Sequence, residues 1–108
     1  MVRGTVRMVM PSKKHREVLG ILWSMAERAK AVPGCMSCRV YQDAKEDRVI
    51  MLEEVWNSEE GLERHIRSDE YRKLLLVMET ALYPPEIRYE TISGSSGVET
   101  IQKARSSL

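Results

Sequence analysis

The stretch VIMLEEVW, Val49 to Trp56, is apolar on both of its faces. Successive residues of a strand point to opposite sides. Val49, Met51 and Val55 therefore lie one way, and Ile50, Leu52 and Trp56 the other. A strand resting on the surface of a small domain would alternate apolar with polar. Here either both sides of the sheet are covered or one of them lines a cavity. That requirement narrows the available folds more than any other feature of the chain.

The neighbouring segments supply the rest of the pattern. Residues 5–10 (TVRMVM) alternate as a first strand, with Val6, Met8 and Met10 on one side. Pro11 and Ser12 end it, and Ser12 is placed to cap a helix. Val18, Ile21, Leu22, Met25, Ala29 and Val32 then recur at helical spacing, and Pro33-Gly34 stops that helix. Residues 35–42 and 48–56 form a hairpin around the polar turn Asp43 to Asp47. Ser58 opens a second helical region with acidic residues in its first turn. This region breaks near Ser68-Asp69, resumes to Leu82 and closes at Pro84-Pro85. Residues 86–92 (EIRYETI) alternate as a fourth strand.

The order β-α-β-β-α-β is that of the ferredoxin-like α+β fold. It predicts one domain over residues 1–93 with an antiparallel four-stranded sheet and helices on one face. Residues 94–108 are a Gly/Ser linker and a short tail. The tail's Ser96-Gly-Val-Glu99 has the form of a helix start, so a short helix or an arm gripping a partner is expected there. The helices cover one sheet face only, and a second copy of the sheet is the simplest cover for the other. Two sheets face to face make a homodimeric α+β barrel.

Composition excludes several classes. The net charge of +1 leaves no positive excess for nucleic acid. No apolar run approaches a membrane span, and MVRGTVRMVMPS lacks the core of a signal peptide, so the expected location is the cytoplasm. The basic run Lys13 to Arg16 reads as a solvated helix start, and His15 receives no role. The pair Cys35-Met-Ser-Cys38 lies in a strand, not at a helix N-terminus where a redox dithiol is activated. Residues three apart on a regular strand face opposite ways, so two unlinked structural thiols are expected. His15 and His65 do not complete a zinc set at suitable spacing, and no metal is expected.

With "PGCMSCRVYQD" followed by "LEEVWNSEEGLERHIRSDEY", the chain resembles the antibiotic biosynthesis monooxygenase family. Family members share a Pro-Gly opening the second strand, an E-x-W ending the third, an S-x-E at the start of the second helix and a His soon after. These fall on Pro33-Gly34, Glu54 and Trp56, Ser58 and Glu60, and His65. The match covers about residues 3–92. The resemblance implies a homodimeric barrel, often with a cavity in each protomer, and in some members oxidation of quinols or phenolic polyketides by O2 without metal, flavin or haem. Polyketide-tailoring members carry an Asn and a Tyr where this chain has Leu52 and Leu62. A haem-degrading branch uses an Asn, a Trp and an axial His. Its Trp and His would fall on His65 and Leu75 here, and the first strand has no Asn, so haem is not expected.

The candidate site follows. His65 is placed as base or anion partner, a role suited to imidazole. Trp56 is the aromatic wall for a flat substrate, against the alternative of a core indole whose N–H meets a carbonyl. Tyr41, Arg39 and Glu54 are the substrate-binding candidates. Arg39 and Tyr41 share a face and have a structural alternative as cross-strand partners of Glu53 or Glu54. The expected activity is cofactor-independent oxygenation of a quinol-like or polyphenolic small molecule. The alternative, which the large apolar side chains at Leu52 and Leu62 favour, is a non-catalytic dimeric barrel that binds a small ligand.

Overall fold

The computed structural model describes residues 1–106. Its elements run β1 (Val2–Val9), a 3-10 turn (Ser12–Lys14), α1 (His15–Ala29), β2 (Cys35–Gln42), β3 (Val49–Trp56), α2 (Glu59–Ile66), α3 (Tyr71–Glu79), β4 (Glu86–Thr91) and α4 (Val98–Ser106). The sheet order is β2-β3-β1-β4, with all three pairings antiparallel. This is the ferredoxin-like α+β topology that the order of elements predicts.

Register decides the two faces. Val6 pairs with Leu52 and Met8 with Ile50, and all four are buried beneath Val18, Leu22 and Met25 of α1 and Leu74 and Val77 of α3. A smaller cluster of Val2, Trp56 and Leu62 lies under α2. Glu54 lies on this covered side, between Leu52 and Trp56 in the alternation. The opposite face carries Arg3, Thr5 and Arg7 of β1, Met51, Glu53 and Val55 of β3, and Glu86, Arg88 and Glu90 of β4. There Arg3 meets Glu90 at 3.2 Å and Arg7 meets Glu86 at 3.4 Å.

Local chemistry accounts for the joints. Gly34 has φ +93°, a left-handed conformation that suits glycine, and it turns the chain from α1 into β2. Ser58 caps α2, its hydroxyl accepting a hydrogen bond from the Gly61 N–H at 3.1 Å. The break between α2 and α3 falls where the sequence places it. The Ser68 hydroxyl donates to the His65 carbonyl at 2.6 Å and accepts from the Tyr71 N–H at 3.3 Å, joining the end of one helix to the start of the next. Gly4 lets the Tyr89 ring lie across β1, since a Cβ there would come within 2.8 Å of Cε1.

Three expectations shift. β1 begins at Val2, ahead of the alternating run, because backbone pairing with β3 and β4 carries the strand through Gly4. Ser12 opens the 3-10 turn and makes no side-chain cap; the Lys14 N–H closes the turn onto the Pro11 carbonyl instead. The cysteines do not face opposite ways. A β-bulge at Met36 shifts the register so that Cys35 pairs with Trp56 and Cys38 with Glu54, which puts both cysteines on the helix side. Both are free thiols. The tail does form a helix, α4, and none of its residues is buried.

Candidate functional site

β3 delivers Glu54 and Trp56 to the covered face two residues apart, and α2 lays His65 over them. Trp56 is wholly buried, Glu54 is 2% exposed and His65 7%. His65 Nε2 lies 2.9 Å from Glu54 Oε2. The contact has ion-pair distance without hydrogen-bond alignment, and Oε2 has no hydrogen-bond partner. The imidazole is held from two further sides. The Trp56 indole lies 4.9 Å away between centroids, tilted by 35°, and the Tyr71 ring meets it edge-on at 5.5 Å. The Tyr71 hydroxyl bonds to that of Tyr89 at 3.0 Å.

Burial raises several pKa values around the carboxylate. Burial, then the charge of Glu54 and the neighbouring Cys35, pushes the Cys38 thiol up to about 12. Burial and Glu54 also raise Cys35. Tyr71 is raised by burial and by its bond to Tyr89. Neither cysteine is therefore an activated thiol.

Beside His65 a cleft of about 320 Å3 opens between the end of α1, α2 and the α2–α3 joint. Ala29, Val32, Pro33 and Gly61 give it an apolar floor, and Arg28, Arg64 and Glu70 line it as well. Arg28 grips Glu70 at 2.6–2.7 Å, and Lys73 reaches the same carboxylate at 3.1 Å. Burial would raise the Glu70 carboxyl, but these bonds outweigh it and hold it below the ordinary carboxylate range.

The sequence-predicted residues thus divide in two. His65, Glu54 and Trp56 come together. Of these only His65 lines the cleft; Trp56 stands behind it, and its indole N–H is buried without a partner. Arg39 and Tyr41 lie on the other sheet face, where Arg39 pairs in register with Glu53 and the Tyr41 hydroxyl donates to Glu53 at 3.2 Å. Arg28, Arg64 and Ser68 were not singled out by sequence reasoning, because the cleft joins helix ends far apart in the chain. The one available signal was the position of Arg64 next to His65. Leu52 and Leu62 are core residues, and Leu75 is half-exposed on α3. Among the described residues no group of three or more His, Cys, Asp or Glu could hold a metal ion. No helix there is long and apolar enough to cross a membrane.

Comparison with known proteins gives the same family as the motifs. The model of the antibiotic biosynthesis monooxygenase family matches residues 1–75. An uncharacterized protein of Synechocystis sp. is 28% identical over 74 residues, which are 68% of this chain and 49% of that protein. The chain thus spans about half the length of the curated relative it matches. Among solved structures, a conserved protein from Methanosarcina mazei is 26% identical with a TM-score of 0.76, covering 82% of this chain and 89% of that one. An antibiotic biosynthesis monooxygenase candidate from Deinococcus radiodurans shares the fold with a TM-score of 0.81 at 12% identity, covering 90% and 97%. The chain belongs to the antibiotic biosynthesis monooxygenase family.

Proposed function

We propose that this protein is a monooxygenase that oxidises a quinol-like or polyphenolic small molecule with O2, using the cleft beside His65. The observation that carries this reading is the buried His65–Glu54 pair at the wall of an open, apolar cleft. An imidazole backed by a carboxylate takes a phenolic proton, and the carboxylate stabilises the imidazolium that results. The substrate anion then supplies the electrons to O2. For an anthrone-type ring, oxygen adds at the carbon that has lost its proton, giving a hydroperoxide. Loss of water leaves a carbonyl, with one oxygen atom in the product and one in water. The chain's own tasks are binding, orientation and holding the proton. Trp56 and Tyr71 act as positioning residues that fix the imidazole plane.

Supporting the reading are membership of the family and an open cleft where the motif histidine falls. The alternative of a purely binding barrel drew on Leu52 and Leu62, and both are core residues that do not line the cleft. The test is O2 uptake by purified protein with hydroquinones and anthrones, beside His65→Ala. Uptake above the spontaneous rate that falls in the variant supports the reading. No uptake across the panel counts against it.

The proposed assembly is a homodimer joined through the open sheet face. That face mixes Met51 and Val55 with charges of both signs, a pattern that two copies can satisfy mutually. Arg39 and Tyr41 then belong to the dimer interface rather than to the cleft. Light scattering of the eluted protein gives the mass that decides it. The proposed location remains the cytoplasm.

A further inference from the structure

We propose that the cleft is built for a small aromatic monoacid, with Arg64 binding its carboxylate while the ring hydroxyl meets His65. This rests on the cleft being the substrate site, and it names the substrate class.

The charges at the rim do not cancel. Arg28 and Lys73 share the single carboxylate of Glu70. Arg64 has no ion pair or hydrogen bond among the described residues, yet its side chain lines the cleft. Of the two guanidinium groups that line the cleft, Arg28 is tied to Glu70 and Arg64 has no partner among the described residues, so Arg64 is the cation left to meet an anion. One charge suits a monoanion. The planar fork of a guanidinium also matches a carboxylate in two parallel hydrogen bonds.

Size limits the rest of the ligand. At about 320 Å3 the cleft is at the small end of ligand cavities, which run from roughly 300 to 1,000 Å3. At that volume it takes up to about three fused rings, the size of an anthrone, and not a four-ring polyketide. The floor of Ala29, Val32, Pro33 and Gly61 offers apolar contact to the ring body and no hydrogen-bonding side chain. Arg64 and His65 are consecutive on α2 and both line the same cavity. A ring that bears both a carboxylate and a hydroxyl offers a partner to each of them. Position in the last turn of α2 also favours a cation at Arg64, but that effect alone is satisfied by a solvated side chain.

The test compares 1-hydroxy-2-naphthoic acid with 1-naphthol, followed by ligand fluorescence, on the wild type, Arg64→Ala and Arg64→Lys. The expected result is tighter binding of the acid by about tenfold or more. Arg64→Ala removes that preference while 1-naphthol binding stays unchanged, and Arg64→Lys restores part of it. Added salt weakens the acid and not the phenol. Equal binding of the two compounds to the wild type overturns the assignment of Arg64 and leaves the cleft as substrate site. Equal weakening of both by Arg64→Ala overturns it too. Failure of the wild type to bind either compound removes the cleft reading and this inference with it. Arg64 is exposed, so its variants retain the fold, which circular dichroism checks.

Discussion

The carboxylate of Glu54, two residues before Trp56 on β3, sits 2.9 Å from the imidazole of His65 with both groups more than nine-tenths buried. Removing one member of this buried contact leaves the other polar group without a neighbour, which costs about 1–3 kcal/mol. Glu54→Ala and His65→Ala are each expected to destabilise, and the double variant to cost less than their sum. Urea denaturation of the four proteins measures the coupling. Additive losses would show that the two groups do not interact.

His65→Ala is expected to lower kcat/KM by about 10²–10⁴-fold, the usual range for a lost general base. Glu54→Gln keeps the shape and removes the charge, so its effect appears in kcat more than in KM. Arg39→Ala and Tyr41→Phe face away from the cleft and are expected to leave binding there unaltered. Their effect is expected on the proposed dimer, read by sedimentation.

Alkaline pH bears on stability in a defined direction. Cys38 keeps its proton to about pH 12 in the folded protein, against an ordinary value of 9.0. Between those values the native state binds the extra proton, so stability is whole below pH 9 and falls as pH rises toward 12. Tyr71, also raised, adds to the loss. Cys38→Ala is expected to be less stable at neutral pH yet to lose less on going alkaline. Denaturant midpoints across that range give the slopes, and identical slopes would remove Cys38 from the account.

Gly4→Ala drives a methyl group to within 2.8 Å of the Tyr89 ring. The ring must move, and its bond to Tyr71 goes with it. Overpacking of this kind costs about 1–3 kcal/mol. The variant's thermal midpoint is expected to drop, and Tyr89→Ala in the same chain to recover part of the loss.

The fold was legible because each level agreed. The apolar spacing of Val18, Leu22 and Met25, the Pro33-Gly34 stop and the Ser58 cap all stand where the sequence places them. Half of the candidate site was legible as well. Parity puts Glu54 and Trp56 on one face, and the family motif adds His65. Parity could not say which face Arg39 and Tyr41 share with β3, because that depends on register across the hairpin. Nor could it find Arg28 or Arg64, since the end of α1 meets α2 only in the folded chain. The two cysteines were misassigned for a related reason: alternation holds only while a strand stays regular.

The bulge at Met36 interrupts that regularity. Were β2 to pair without it, counting back from Ser37 opposite Val55 would set Met36 opposite Trp56. A long, flexible thioether would then press on the indole that steadies His65. With the extra residue in place, Met36 is 59% exposed and the shorter Cys35 occupies that position instead. The phase of one edge strand thus governs the packing behind the imidazole, and a single-residue deletion there would re-time the alternation before Ser37. An insertion or deletion between Gly34 and Ser37, more than a substitution within it, would therefore change what stands behind His65.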